Sequence, residues 1–180
     1  MKQGIHEAME MHEVLNDEVC TIEHYNLYSC QCQDQELRNI LERQQRHMID
    51  DYHRKVSVMQ GHGLDVSQMS RLNMDQMGTR HNTQTHQSSP SDSRRLSDKT
   101  IAAGAMLFHK CGASRSTNAA LECSEPHLRN ILAGSARSCM EMAYEIFQYM
   151  SHKGLHQSPE IPNRFINHTP LQHTQIHHQQ

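Results

Sequence analysis

The sequence predicts an all-α protein, a four-helix bundle built from two repeated helical hairpins with a long middle crossover. Three observations lead there. Leu37-Arg38-Asn39-Ile40-Leu41 recurs as Leu128-Arg129-Asn130-Ile131-Leu132, and the offset of 91 residues, 128 minus 37, holds without a gap on both sides. Cys20 then meets Cys111, Cys32 meets Cys123, Arg46 meets Arg137, Met59 meets Met150, Gly63 meets Gly154 and Leu64 meets Leu155; Asp50 meets Glu141 and Val56 meets Phe147. Within each repeat the apolar residues recur at helical spacing. Finally, two packed hairpins can bury stripes that one hairpin would leave exposed.

The first helix of repeat 1, about residues 5 to 29, carries Ile5, Ala8, Leu15, Val19 and Ile22 along one side. The second is stronger, with Leu37, Ile40, Leu41, Met48, Tyr52, Val56 and Met59 on one stripe. Gly63 lies just past its end, where a left-handed cap suits glycine. This hairpin is expected to occupy residues 5–64 and the crossover linker, partly disordered, residues 65–96. The linker holds Met69, Leu72, Met74 and Met77 in a candidate short helix, then a polar stretch from Thr79 to Ser93. A helix of about 25 residues rises 1.5 Å at each, roughly 37 Å in all. A linker of this length spans that distance, which is the ferritin-like arrangement rather than simple up-down-up-down.

The second hairpin is expected over residues 97–155. Its first helix, about residues 98 to 121, places Ile101, Ala105, Phe108 and Ala119 together behind a Ser97 cap. The other uses Leu128, Ile131, Leu132, Cys139, Met142, Ala143, Ile146, Phe147 and Met150. Ser124 is the expected N-cap, Pro126 sits in the first turn where its missing N–H is harmless, and Gly154 follows the C-terminus. Residues 156–180, with Pro159, Pro162, Pro170 and many Gln and His, read as an extended tail.

Composition narrows the function classes. The chain has 180 residues, of which 36% are hydrophobic and 4% aromatic, with no Trp, so the core is thin and rests on Leu, Ile, Met and Ala. A formal charge of −3 and no basic run beyond Arg94-Arg95 argue against a nucleic-acid partner. The longest apolar run, Ile101 to Phe108, is too short for a membrane span and contains Gly104. Met1-Lys2-Gln3-Gly4-Ile5-His6-Glu7 has an acid where a signal peptide needs its apolar stretch, so a soluble protein without an export signal is expected.

Cys32-Gln33-Asp34-Gln35-Glu36-Leu37-Arg38-Asn39-Ile40-Leu41 and the segment from Ala119 to Leu132 resemble the coat F family of bacterial endospore coat proteins. A Leu-Arg after Pro or Gln opens the helix, and Phe147-Gln148-Tyr149-Met150-Ser151-His152-Lys153-Gly154-Leu155 resembles the family's closing turn. The second repeat is the closer match. The resemblance implies a ferritin-like bundle, synthesis in the mother-cell cytoplasm during sporulation and deposition in the spore coat. It also implies other spore coat proteins as partners, and a homo-oligomer fits the thin core.

A di-iron or di-manganese centre in such a bundle needs two inward Glu and two Glu-x-x-His motifs. The sequence has no Glu-x-x-His; Asp50-x-x-His53 and Glu141-x-x-Tyr144 are the nearest, and both acids lie opposite their apolar stripes. No carboxylate occurs from Lys99 to Leu121, so no metal or other cofactor is expected. Cys139 reads as a small buried hydrophobe, while Cys20 and Cys111 read as a shared packing position. Cys30, Cys32 and Cys123, at the hairpin turns, are candidate cross-linking thiols. His12 falls on the apolar side of the first helix and reads as a satisfied core residue. The tail His156, His168, His173, His177 and His178 read as a solvated set. No nucleophile motif or phosphate loop is present, so no catalytic or cofactor-binding residue is assigned. Two readings follow: a structural, non-enzymatic coat protein acting by association, or a ferritin-like metal-binding or redox protein with a degenerate site.

Overall fold

The structure is a computed structural model and describes residues 5–61 and 95–156, without the side chains of residues 5 and 6. The expected linker up to residue 94, the Gly63 cap and the tail beyond residue 156 lie outside the described residues. The described residues form four helices and no strand: α1 (Ile5–Gln31), α2 (Gln35–Gly61), α3 (Asp98–Glu122) and α4 (Pro126–His152).

The helix starts follow from local hydrogen bonding. Asp34 Oδ1 accepts from the amides of Glu36 at 2.8 Å and Leu37 at 3.2 Å, opening α2. Ser97 opens α3 as expected, its Oγ accepting from the Thr100 amide at 3.1 Å. The expected Ser124 cap on α4 is corrected. Glu125, one residue on, accepts from the amides of His127 at 3.1 Å and Leu128 at 2.6 Å, with Pro126 in the first turn. Ser124 is engaged elsewhere: its amide and its hydroxyl both donate to Glu7 at the start of α1, the hydroxyl at 2.6 Å. At the other end of α4, Gly154 takes φ +67°, and the amides of Leu155 and His156 return to the Met150 carbonyl at 2.8 and 3.2 Å.

The stripes meet in one core. Leu15, Val19 and Ile22 of α1 are buried there with Leu37, Leu41, Met48 and Met59 of α2. Ile101, Ala105 and Ala119 of α3 join Leu128, Leu132, Ile146 and Met150 of α4. Ala8, Val56, Phe108, Ile131, Cys139 and Phe147 are only half-buried at the edges of the stripes. Tyr25, Met11 and Val14 extend the α1 face beyond the expected set. Each large apolar side chain removed from water contributes about 1.5–3 kcal/mol before the entropy of ordering is set against it.

Helix α1 lies beside α2 and α3, and α4 lies beside the same two, with neighbours antiparallel throughout. The start of α3 sits on the first hairpin turn, because the Asp98 carboxylate accepts from the amides of Gln33 at 2.9 Å and Asp34 at 3.1 Å. The end of α2 is therefore at the opposite end of the bundle from the start of α3. A helix of 27 residues such as α2 is roughly 40 Å long. The end of α2 and the start of α3 thus lie a bundle length apart, as the long crossover of the ferritin-like topology requires.

The sequence repeat is also a two-fold axis of contacts. Advancing Glu7 and Gln33 by the offset gives Asp98 and Ser124, and both acids grip the other hairpin's turn. Cys32 and Cys123 each donate a thiol hydrogen to a carbonyl two residues on, at 3.3 and 3.7 Å. Gln44 Nε2 reaches the Met142 carbonyl at 3.1 Å, and the equivalent pair, Ser135 and Asp51, joins at 2.5 Å.

Candidate functional site in the bundle core

Polar residues stand on the apolar stripes at mid-bundle. Glu18 lies between Leu15 and Ile22 in α1, and Lys55 lies between Tyr52 and Met59 in α2, four residues after Asp51. Lys55 is 1% exposed, and its Nζ contacts Glu18 Oε1 and Oε2 at 2.9 and 3.0 Å and Asp51 Oδ2 at 2.5 Å. Ser135 Oγ donates to the same Asp51 oxygen at 2.5 Å, and Arg54 reaches Asp51 Oδ1 from the surface at 2.8 Å. Burial raises the Glu18 carboxyl to about 7, against the pull of Lys55. Burial opposes the Asp51 charge too, yet Lys55, Ser135 and Arg54 hold that carboxyl below its usual value. Lys55 is likewise opposed by burial and kept charged by Glu18 and Asp51, so its value is raised. The cluster is an ammonium shared by one firmly ionised carboxylate and one that titrates near neutrality.

Across the dyad the chemistry is neutral. His109 of α3, the repeat partner of Glu18, is buried against Tyr25 and Gln44. Tyr25 Oη is 2.6 Å from His109 Nε2 and 3.0 Å from Gln44 Oε1, while His109 Nε2 is 2.9 Å from the same oxygen. The amide oxygen only accepts, so Tyr25 donates to it and Nε2 carries the histidine hydrogen. Burial, then the His47 charge, lowers His109 to about 4, so the ring is neutral near pH 7. Gln44 Nε2 completes the layer by donating to Glu145 Oε2 at 2.8 Å.

A cavity of about 270 Å³ adjoins the ionic cluster. Glu18, Lys55 and Ser135 border its inner end, and Cys20, Leu107 and Cys111 border it between α1 and α3.

The sequence-derived candidates fall elsewhere. Cys30 is exposed at the first turn, but Cys32 and Cys123 are buried with their thiols bonded to backbone carbonyls. Burial holds the Cys32 thiol up at about 12 and raises that of Cys123. Those two candidates therefore lack the exposure that cross-linking needs. Cys20 and Cys111, expected to share a packing position, are both exposed, and Cys139 is half-buried as a weakly acidic thiol pushed up to about 12. His12 is half-buried, and the histidine of the core is His109. Asp50, His53, Glu141 and Tyr144 all face solvent, as their positions opposite the stripes require.

The donor set does not suit the metal centre that ferritin-like bundles can hold. Both inward carboxylates are engaged by Lys55, and the position equivalent to Glu18 carries a histidine committed to Tyr25 and Gln44. Among the described residues no group of three or more His, Cys, Asp or Glu is placed to hold a metal ion. No helix of the described residues is long and apolar enough to cross a membrane.

Comparison with known proteins bears on what this bundle is. The family model of the Coat F domain matches residues 97–160. The second hairpin matches the Coat F domain. The resemblance to the coat F family is thus borne out, the model taking in the segment 119–132, and this likeness supports a role and a location in the spore coat. The spore coat protein F-like protein YhcQ of Bacillus subtilis is 28% identical over 165 residues, covering 88% of this chain and 74% of its own. A candidate spore coat protein from Bacillus halodurans C-125 shares the fold with a TM-score of 0.75 at 12% identity, over 90% of this chain and 96% of that one. A two-domain protein from Anabaena variabilis, containing DJ-1/ThiJ/PfpI-like and ferritin-like domains, gives 0.64 at 11% identity, over 87% of this chain and 39% of that one. These likenesses confirm the fold as an all-α ferritin-like bundle.

Proposed function

We propose that this chain is a structural component of the bacterial spore coat that acts without turnover, by associating with itself or with other coat proteins during assembly. The Coat F domain at residues 97–160 carries the reading. The core supports it, because the inward polar groups that could do chemistry are paired with one another. On this reading the chain is made in the mother-cell cytoplasm and laid onto the forespore surface. Cys30, exposed at the first hairpin turn, is its intermolecular cross-linking thiol.

The test is extraction of purified spores with and without reductant, followed by immunoblotting. Recovery mainly with reductant, and as species larger than a monomer without it, is the expected result. Absence from spores, with the chain abundant in growing cells, would refute the coat role. Release as a monomer without reductant would remove the cross-link alone.

A further inference from the structure

Cys20 and Cys111 are repeat partners, and the fold brings them to one seam. Helices α1 and α3 run antiparallel there, joined on one side by Asp17 and Arg115, Oδ2 to Nε 3.0 Å, and on the other by His24 and Phe108, ring centroids 4.9 Å. These two contacts are related to each other by the offset of 91 residues, so the dyad passes between them. Cys20 lies three residues after Asp17 and Cys111 three after Phe108, which places them facing positions beside the axis. Both thiols are exposed, and both border the same cavity between the helices. Cys30, by contrast, has Leu121 as its repeat partner and no equivalent thiol.

We propose that Cys20 and Cys111 form an intramolecular disulfide under oxidising conditions, a covalent staple between the two hairpins. With a glutathione-type disulfide as oxidant, the thiolate of one cysteine attacks it, forming a mixed disulfide and expelling one thiol. The second thiolate attacks the protein sulfur of that mixed disulfide and expels the other. Two protein thiols lose two electrons and two protons, and the oxidant becomes two thiols. His24 assists at Cys20. Its Nδ1, 2.7 Å from the Cys20 carbonyl oxygen, carries a hydrogen because that oxygen only accepts. The same Nδ1 is 3.6 Å from Cys20 Sγ, so its N–H also meets a thiolate formed there.

Purified full-length protein, mixed from light and isotopically heavy preparations, is equilibrated with oxidised glutathione and mapped by mass spectrometry. The expected product is a Cys20–Cys111 peptide pair of uniform isotope, so formed within one chain. Because the bridge closes a long loop, Tm should rise by about 10 °C, reversibly with dithiothreitol. Cys20→Ser and Cys111→Ser should each abolish the rise, and Cys30→Ser should leave it intact. Two results would overturn the proposal: both thiols still reacting with iodoacetamide after equilibration, or Cys20–Cys111 links found only between light and heavy chains. The test uses purified protein, so failure of the coat reading in spores would leave it standing, and the reverse.

Discussion

Glu18 is held in the core against its own charge, and Glu18→Gln tests this. The substitution keeps the shape and leaves Lys55 paired with Asp51, but removes the ionisation. In the folded chain the carboxyl titrates at about 7, against 4.5 without the protein around it. The folded state therefore binds that proton more tightly than the unfolded state does. Its contribution to stability is fully present below about pH 4.5 and is lost as pH rises to about 7, levelling off above. Each tenfold change in proton affinity is worth about 1.4 kcal/mol, so the whole span is about 3 kcal/mol. Urea unfolding of wild type and variant at pH 5 and pH 8 gives the double difference, in which other titrating groups cancel. The variant should gain about 2–3 kcal/mol on wild type between those two pH values. The groups that face Glu18, namely Lys55, Asp51 and Arg54 from α2 and Cys139 from α4, are common to both proteins. A difference that does not change with pH would refute the reasoning.

Other consequences are equally direct. Lys55→Met strands two carboxylates in the core and should destabilise by about 3–5 kcal/mol at pH 8, less at pH 5 where Glu18 takes up its proton, by the same urea assay. His109, lowered to about 4 from 6.5, binds protons more weakly folded than unfolded. Stability should fall as pH drops through that window, and His109→Gln should flatten the acid limb of a Tm-against-pH curve. A methyl group at Gly104 would sit 2.4 Å from Tyr28 Oη, whereas one at Gly134 meets nothing within 4 Å. Gly134→Ala should therefore raise stability by up to about 1 kcal/mol from helix propensity. Gly104→Ala should gain less or lose, and Tyr28→Phe in the same chain should recover part of the gain, since ring carbon Cζ still lies 3.0 Å from that methyl, all read as urea midpoints. Glu7→Gln and Asp98→Asn loosen equivalent latches, so each should cost about 1–2 kcal/mol. A large effect from one and none from the other would argue against a working dyad.

Much of this was legible in the residues because helical spacing and the repeat are both properties of a single chain. The stripe positions Leu37, Leu41, Met48 and Met59 are core residues, and Ser97 and Gly154 terminate helices where their chemistry places them. Glu18, Gln44, Asp51, Lys55 and His109 were also visible, as polar residues standing on apolar stripes, but no Glu-x-x-His spacing describes them. A polar residue on a stripe signals a buried partner on another helix, and which partner depends on how the hairpins dock. The Ser124 cap fails for the same reason: Glu7, 117 residues away in sequence, engages that serine, and Glu125 takes over. Cys32 and Cys123 look like turn thiols by position. Their burial follows from the tight turn itself, which directs each thiol onto a carbonyl two residues on.

The asymmetry of the core explains why two similar hairpins pair with each other rather than with copies of themselves. Under the dyad, Glu18 corresponds to His109, Gln44 to Ser135, Asp51 to Met142 and Lys55 to Ile146. If two first hairpins docked, two Lys55 ammonium groups and four carboxylates would share one interior, and Asp51 would lose its Ser135 donor. If two second hairpins docked, both His109 rings would be buried without Tyr25 or Gln44. Each buried group left unpaired costs about 1–3 kcal/mol, and more when charged. The native pairing satisfies all of them: the first hairpin supplies the charges and the tyrosine, while the second supplies the serine, the neutral histidine and the Met142 carbonyl. Specificity thus resides in the polar layer, where a mismatch is costly, and the apolar stripes on either side supply the adhesion that both pairings would share.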